Sequence, residues 1–299
     1  MKVLVTGAGG QVGREIVKLT KSFKIQVIGL GHTELDVSDS VSISNALSTH
    51  MPDLLVNAAA YTDVEKAESE MELAYDVNRW GAAKIAEICF DRRIPLIHLS
   101  TDYVFDGKKK QPYTEWDTEN PINTYGRSKF EGEVAIRSIL NKHLILRTSW
   151  VFGEHGKNFV KTMLRLQKNG DPLQLISDTY GCPSSAADIA MVIMRLANQI
   201  KKNKGIQWGT YHYCGDHSTS WYSFAKEIFE EVSKLTGQPI PKILPISSKY
   251  YSSALKRPVN TALSCQKIEE TFNIKPCQWK KSVHEVVNVL LKTETRKVN

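Results

Sequence analysis

The stretch VLVTGAGGQVGREIV, residues 3–17, constrains the fold more than any other part of this chain. A short apolar run meets Gly7, Gly10 and Gly13, with Gly9 between them, and then passes into an amphipathic helical pattern. Glycine at those positions allows a tight turn out of a strand, a backbone that approaches a pyrophosphate with no Cβ between, and a helix packed close to a sheet. The N–H groups at the helix start then meet the phosphate charge. The spacing GxxGxxG is weak evidence by itself. Its place after a strand and before a helix makes it a dinucleotide-binding signal.

The first half of the chain repeats the same alternation. Apolar runs at 2–6, 25–30, 53–60, 94–100 and 143–150 read as buried parallel strands, and the segments between them carry helical spacing. This predicts an α/β fold, a Rossmann-type doubly wound parallel sheet with right-handed crossovers, over residues 1–150. Beyond 150 the alternation loosens. Helices are predicted at 157–169, 186–200, 219–236 and 280–292, with proline-bearing loops between the last two. Residues 151–299 are read as a smaller, mostly helical and loop lobe that binds substrate. Segments within about 172–215 are expected to return to the main sheet, with GTYHYCG at 209–215 as the candidate strand.

Composition excludes several classes. The charge of +7 is spread along the chain, apart from KKK at 108–110, IKKNKG at 200–205 and the tail KTETRKVN. No basic helix interleaved with aromatics appears, so nucleic acid is not an expected partner. No apolar run approaches the roughly 20 residues that span a bilayer. The N-terminal MKVLVTGAGG is too short and wrongly flanked for a signal peptide. Five cysteines without a CxxC pair then suggest reduced thiols in a cytoplasmic protein. His212, Cys214 and His217 lie close in sequence but lack a fourth zinc ligand, and a strand-to-loop turn is the better reading. SWYSFAKEIFEEV, 220–232, reads as a core helix capped by Ser220, and Cys182 as an inert buried thiol.

Catalysis is carried by two further stretches. HLSTDYVFDG places Ser100, Thr101 and Asp102 at the carboxyl edge of the fourth strand, where open α/β sheets bind ligands. TYGRSK puts Tyr125 and Lys129 four positions apart, one above the other on a helix. Beside a nicotinamide such a set has a clear division of work. Lys129 holds a ribose hydroxyl and draws the tyrosine pKa down, Tyr125 donates a proton to a carbonyl oxygen, and Thr101 orients that oxygen. At the end of the second strand, GLGHTELDVSD offers no acidic residue at once. Asp36 comes later, where a loop could carry it to the adenine side, so the choice between NADPH and NADH stays open.

With TGxxGxxG, the strand-end Thr and YxxxK, the chain resembles the extended short-chain dehydrogenase/reductases. NAAAYTDVEKAESE, LSTDYVFDG, YGRSKFEGE and LRTSWVFG narrow the resemblance to the dTDP-4-dehydrorhamnose reductase family, over nearly the whole chain. The resemblance implies NAD(P)H-dependent reduction of a 4-keto-6-deoxy sugar carried on dTDP, the last step of dTDP-L-rhamnose synthesis, which feeds a bacterial surface polysaccharide. It places Gly10, Gln11 and Val12 on the cofactor phosphates and Asp36 with Val37 at the adenosine end. Ala58, Ala59 and Ala60 line the cofactor groove, Thr101 and Asp102 meet the sugar, and Trp150 packs on the hexose. A monomer or weak homodimer is expected.

The chain departs from the family pattern in places. SDTYGCPSS stands where relatives often read DQxGxPT, so Thr179 replaces a glutamine and Ser184 a threonine. Some relatives bind magnesium through glutamates at a dimer interface. Glu15 matches one of these, SSAADIA offers no second, and no metal is expected. A dehydratase would need a second carboxylate directly after Asp102, where Tyr103 stands. An epimerase or another nucleotide-sugar reductase of the same scaffold needs only the Tyr/Lys pair and stays open. So does a non-catalytic dinucleotide-binding subunit resembling the regulatory subunit of methionine adenosyltransferase.

Overall fold

The computed structural model describes residues 1–167, 171–202, 205–250 and 255–298. Residues 168–169 of the helix predicted at 157–169, residues 203–204 of the basic stretch at 200–205, residues 251–254 of the proline-bearing loop and the last tail residue, 299, lie outside the described residues. Six strands form one wholly parallel sheet: β1 (Lys2–Thr6), β2 (Gln26–Leu30), β3 (Leu54–Asn57), β4 (Leu96–Thr101), β5 (His143–Thr148) and β6 (Gly209–His212). Their order across the sheet is β6-β5-β4-β3-β1-β2. The chain order reverses between β1 and β3, which opens a crevice at the carboxyl ends of these two strands.

Both faces are covered, which is why the strands read as near-continuous apolar runs. Val3, Val5, Leu54, Val56, Ile97, Leu144 and Leu146 pack on one face with α1 (Gln11–Lys18) and the later helix Ala186–Lys201. Leu4, Leu55, Leu96 and Ile145 pack on the other, with α2 (Ser40–His50), α3 (Gly81–Asp91) and α4 (Thr124–Ile139). Strand alternation then puts Thr6, Asn57 and His98 on the α4 side, two positions beyond Leu4, Leu55 and Leu96. The register pairs Thr6 with Asn57 and Asn57 with His98, so three polar residues stand in a row on this face, with His98 on the strand nearest α4.

The predicted returning strand is β6, beside β5. The segment Leu173–Ile176, within the 172–215 stretch expected to rejoin the sheet, does not do so. It pairs with Ile243–Ile246 in a separate two-stranded ribbon. A third apolar cluster lies here, built from Phe152, Met163, Phe224, Phe229, Trp279 and Val283. The helices Phe159–Gln167, Trp221–Thr236 and Trp279–Val298 fall close to their predicted places. Ser220 caps the second of them by accepting from Ser223 N–H. No helix among the described residues is long and apolar enough to cross a membrane.

Candidate active site

The glycine loop is fixed by close approach. Gly7 has φ +66°, and a Cβ on it would lie 2.6–2.7 Å from the Ala58–Ala59 peptide. A Cβ on Gly13 would lie 2.3 Å from Gly7 O. Gly10 N–H closes the turn on Gly7 O, and a Cβ on Gly9 would meet nothing within 4 Å. Helix α1 has no side-chain cap and no acidic residue in its first turn, so the N–H groups at Gln11 and Val12 face no carboxylate of their own helix. The Gln11 side chain accepts from Asn158 Nδ2 at 2.8 Å and ties the loop to the segment after β5.

In the loop after β2, Asp36 spends its carboxylate on its own turn, accepting from Ser38 N–H and Ser38 Oγ. Those bonds hold its pKa below the usual carboxylate range. Val37 is buried, with its carbonyl against Gly81. A nearer acid, which the sequence reading passed over, is Glu34: its carboxylate folds back to accept from Gly31 N–H at 2.8 Å, at the end of β2. The signal was a Glu three residues past a helical-turn start, the spacing of a capping box.

Thr101 ends β4 and is buried. Its Oγ1 accepts from Tyr103 N–H, donates to Asp102 Oδ1 at 3.1 Å and hydrogen-bonds the Tyr125 side chain. Tyr125 stands on the first turn of α4, which Asn123 caps by accepting from Gly126 N–H. The helix presses hard on the site. A Cβ on Gly126 would lie 2.2 Å from Tyr103 O, and one on Gly132 2.2 Å from Asn78 O. Asn78 sits in a widened, π-type turn over Asp76–Trp80, where its side chain bonds Tyr61 and Ser128.

Lys129 is buried, and its Nζ donates to Leu99 O at 2.7 Å and lies 3.4 Å from His98 Nε2. Burial lowers its pKa to about 8, with the Glu133 charge acting against that shift. The expectation that Lys129 draws the Tyr125 phenol down is corrected by this arrangement. Burial pushes the phenol well above its ordinary value, the Thr101 bond offsets only part, and Lys129 is turned to the strand instead. Below, Glu133 receives both Arg147 Nε and Nη2, while Arg137 and Glu119 close the network at its exposed edge.

Asp102 is more a tie than an open carboxylate. It accepts from Thr101, from Ser149 Oγ at 3.0 Å and from the Thr261 side chain, and burial still pushes its pKa up to about 6. Trp150 follows β5 in a left-handed conformation, φ +47°. Its indole stacks on Trp221 with ring centres 3.5 Å apart and an angle of 9° between planes. Gly181 lies against the same ring. Thr179 is buried, and Ser184 N–H bonds Trp150 O. Ser100 Oγ and Thr148 Oγ1, on the adjoining ends of β4 and β5, are buried without a hydrogen-bond partner.

Glu15 is joined by Glu154 and His155, their ligand atoms within 4.8 Å of one another, and Lys18 Nζ bonds both carboxylates. The group thus carries its own cation. His212, Cys214 and His217 do not converge: His212 binds Tyr113 O, His217 pairs with Asp216, and Cys214 Sγ lies 3.6 Å from Cys265 Sγ. All five thiols are free and buried.

Residues 1–292 match the family described as RmlD substrate binding domain. A dTDP-4-dehydrorhamnose reductase of Aggregatibacter actinomycetemcomitans is 40% identical, over 95% of this chain and 98% of its own. Among solved structures, a dTDP-4-dehydrorhamnose reductase from Clostridium acetobutylicum superposes with a TM-score of 0.89 at 36% identity, covering 97% of this chain and all of the other. One from Bacillus anthracis, in complex with NADP, gives 0.87 at 32% identity over 95% and 98%. The chain belongs to the dTDP-4-dehydrorhamnose reductase family.

Proposed function

We propose that this chain reduces the 4-keto group of dTDP-4-dehydro-L-rhamnose to dTDP-L-rhamnose with NADPH or NADH. The observation that carries the reading is the pairing of Thr101 with Tyr125 at the carboxyl edge of β4, with Lys129 one turn further along α4, two strands from the glycine cradle on β1. The names of the relatives, and the NADP complex of one of them, support it.

The residues fit a nicotinamide dinucleotide. Gly7 and Gly13 keep a space that a Cβ would fill, the N–H groups of Gln11 and Val12 suit the phosphates, and Ala58, Ala59 and Ala60 form the wall behind them. Asp36 and Val37 lie toward the adenosine end. A nicotinamide held there would supply the hydride. Lys129 holds a ribose hydroxyl beside the strand. Tyr125, its phenol kept protonated by burial, donates its proton to the sugar oxygen. Thr101 turns its one hydroxyl proton from Asp102 Oδ1 to that oxygen when the sugar is held. Trp150, braced by Trp221, flanks the hexose, and residues 151–299 supply the rest of the sugar-nucleotide lobe.

The test follows the reduced-cofactor absorbance with freshly made dTDP-4-dehydro-L-rhamnose, NADPH and NADH in parallel, and then identifies the sugar. Stoichiometric oxidation giving rhamnose is expected. Tyr125→Phe should bind cofactor normally and lose most of the rate, by about 10²–10⁴-fold. Full activity in that variant refutes the assignment of the proton donor.

A further inference from the structure

We propose that His98 is a positioning residue for Lys129: with Nδ1 engaged by Asn57, it presents Nε2–H to Lys129 Nζ and favours the amine over the ammonium. The inference rests on the proposed function only for its consequence in turnover. The hydrogen-bond pattern stands on geometry alone.

The pattern is set from the crevice inward. Ala59 N–H lies 3.1 Å from one atom of the Asn57 amide, and a backbone N–H can only donate, so that atom is Oδ1. Thr6 Oγ1 donates to the same oxygen at 2.6 Å. The other amide atom, Nδ2, is therefore a donor, and it faces His98 Nδ1 at 3.0 Å. A nitrogen that receives a hydrogen bond is unprotonated. His98 is 1% exposed, and burial holds it far toward the neutral form. A neutral imidazole with a bare Nδ1 carries its proton on Nε2.

That proton points at Lys129 Nζ, 3.4 Å away. An ammonium has no lone pair to receive it. An amine has one, and keeps a hydrogen for Leu99 O at 2.7 Å. The row Ala59, Asn57, His98, Lys129 thus runs in one donor direction from the wall of the cofactor groove to the base of the catalytic helix. It also explains why Lys129 turns away from Tyr125.

The other ionisable groups round the pair come from each element packed there. On α4, Tyr125 is neutral, and Glu133 favours the ammonium but is bound by Arg147 of β5 and by Arg137. His143 of β5, itself lowered by burial, acts on His98, and Asp102 lies past the end of β4. None supplies an acceptor for Nε2–H in place of Lys129 among the described residues.

The first test needs no variant. Long-range ¹H–¹⁵N spectra of the wild-type imidazoles should show His98 protonated on Nε2 and bare on Nδ1 across about pH 6–9. A proton on Nδ1 overturns the proposal. The second follows the ¹³Cε signal of Lys129, assigned with Lys129→Arg, against pH. His98→Phe keeps an apolar ring and removes the donor, and should raise the Lys129 titration by about one unit, the size of one hydrogen bond. His98→Gln can turn Oε1 to Asn57 and Nε2–H to Lys129, and should keep it low. Identical titration in all three proteins overturns the proposal. If the Phe variant does not fold, the tautomer and the Gln variant decide. Correct spectra in a chain that turns over no dTDP sugar would sink the proposed function and leave this inference standing.

Discussion

Gly181→Ala isolates the packing of Trp150 from its chemistry. Gly181 lies in a short extended segment outside the left-handed region, so alanine meets no backbone penalty there. Through the unfolded chain alone the substitution should add about 0.4–1 kcal/mol of stability. Against this stands the new methyl group, 2.3 Å from Trp150 Cε2, 2.4 Å from Nε1 and 2.8 Å from Cζ2. The indole has little room to withdraw, with Trp221 stacked on it at 3.5 Å and Phe224 close behind. Overpacking of this kind costs about 1–3 kcal/mol. The balance is a net loss of about 1–2 kcal/mol, which lowers the melting temperature by about 2–4 °C for each kcal/mol in a chain approaching this size.

The assay is a double-mutant cycle. Gly181→Ala and Trp150→Leu are made singly and together, and each is followed by thermal unfolding and by KM for the dTDP sugar. Alanine should be harmful beside tryptophan and close to neutral beside leucine, a coupling within about 0.5–3 kcal/mol. KM should rise in Gly181→Ala while kcat changes less, because Tyr125 and Lys129 sit on another element. Additive effects, or an unchanged melting temperature in the single variant, would refute the view that Gly181 is there to seat the indole.

Three further outcomes follow from buried charge. Arg147→Met leaves Glu133 without its main partner inside the core and should cost about 3–5 kcal/mol by urea unfolding; adding Glu133→Leu should recover much of it, and a single-variant loss under about 1 kcal/mol would count against the network. Asp102 carries a carboxyl raised from 3.8 to about 6, so its contribution to stability is full at low pH and fades as pH rises through that window; Asp102→Asn should flatten the profile there, which pH-dependent urea midpoints will show. Lys129, lowered from 10.5 to about 8, binds its proton more readily in the unfolded chain, so wild-type stability should rise between those values and the rise should be missing in Lys129→Met.

Much of this molecule could be read from sequence, for reasons that also explain what could not. A parallel sheet covered on both faces has to be written in apolar runs, and β1 to β6 were found from theirs. The ribbon of Leu173–Ile176 with Ile243–Ile246 was not, because its two strands are joined by sixty-odd residues and carry no turn signal between them. Thr101, Tyr125 and Lys129 were legible through one strand end and one helical spacing. Ser149 and Thr261, which hold Asp102, reach it only through tertiary packing. Asn57 and His98 did leave a trace. Each interrupts an apolar strand in phase with Thr6, and a buried polar residue at such a place must find a partner.

The position of α4 shows why the YxxxK spacing alone is not enough to make a site. Three anchors fix the height of that helix over the sheet: Gly126 against Tyr103 O, Gly132 against Asn78 O, and Glu133 clamped by Arg147. Tyr125 lies just before the first anchor and Lys129 between the first and second. Any Cβ at either glycine would have to move the helix by about 1 Å or more to restore ordinary contact. The 2.7 Å hydrogen bond of Lys129 to Leu99 O has no such slack. The glycines inside α4 weaken the helix by about 1 kcal/mol each relative to alanine. That loss is what lets a helical lysine reach a strand carbonyl beside the row of Thr6, Asn57 and His98, so the YxxxK spacing and the two glycines form one feature of the sequence.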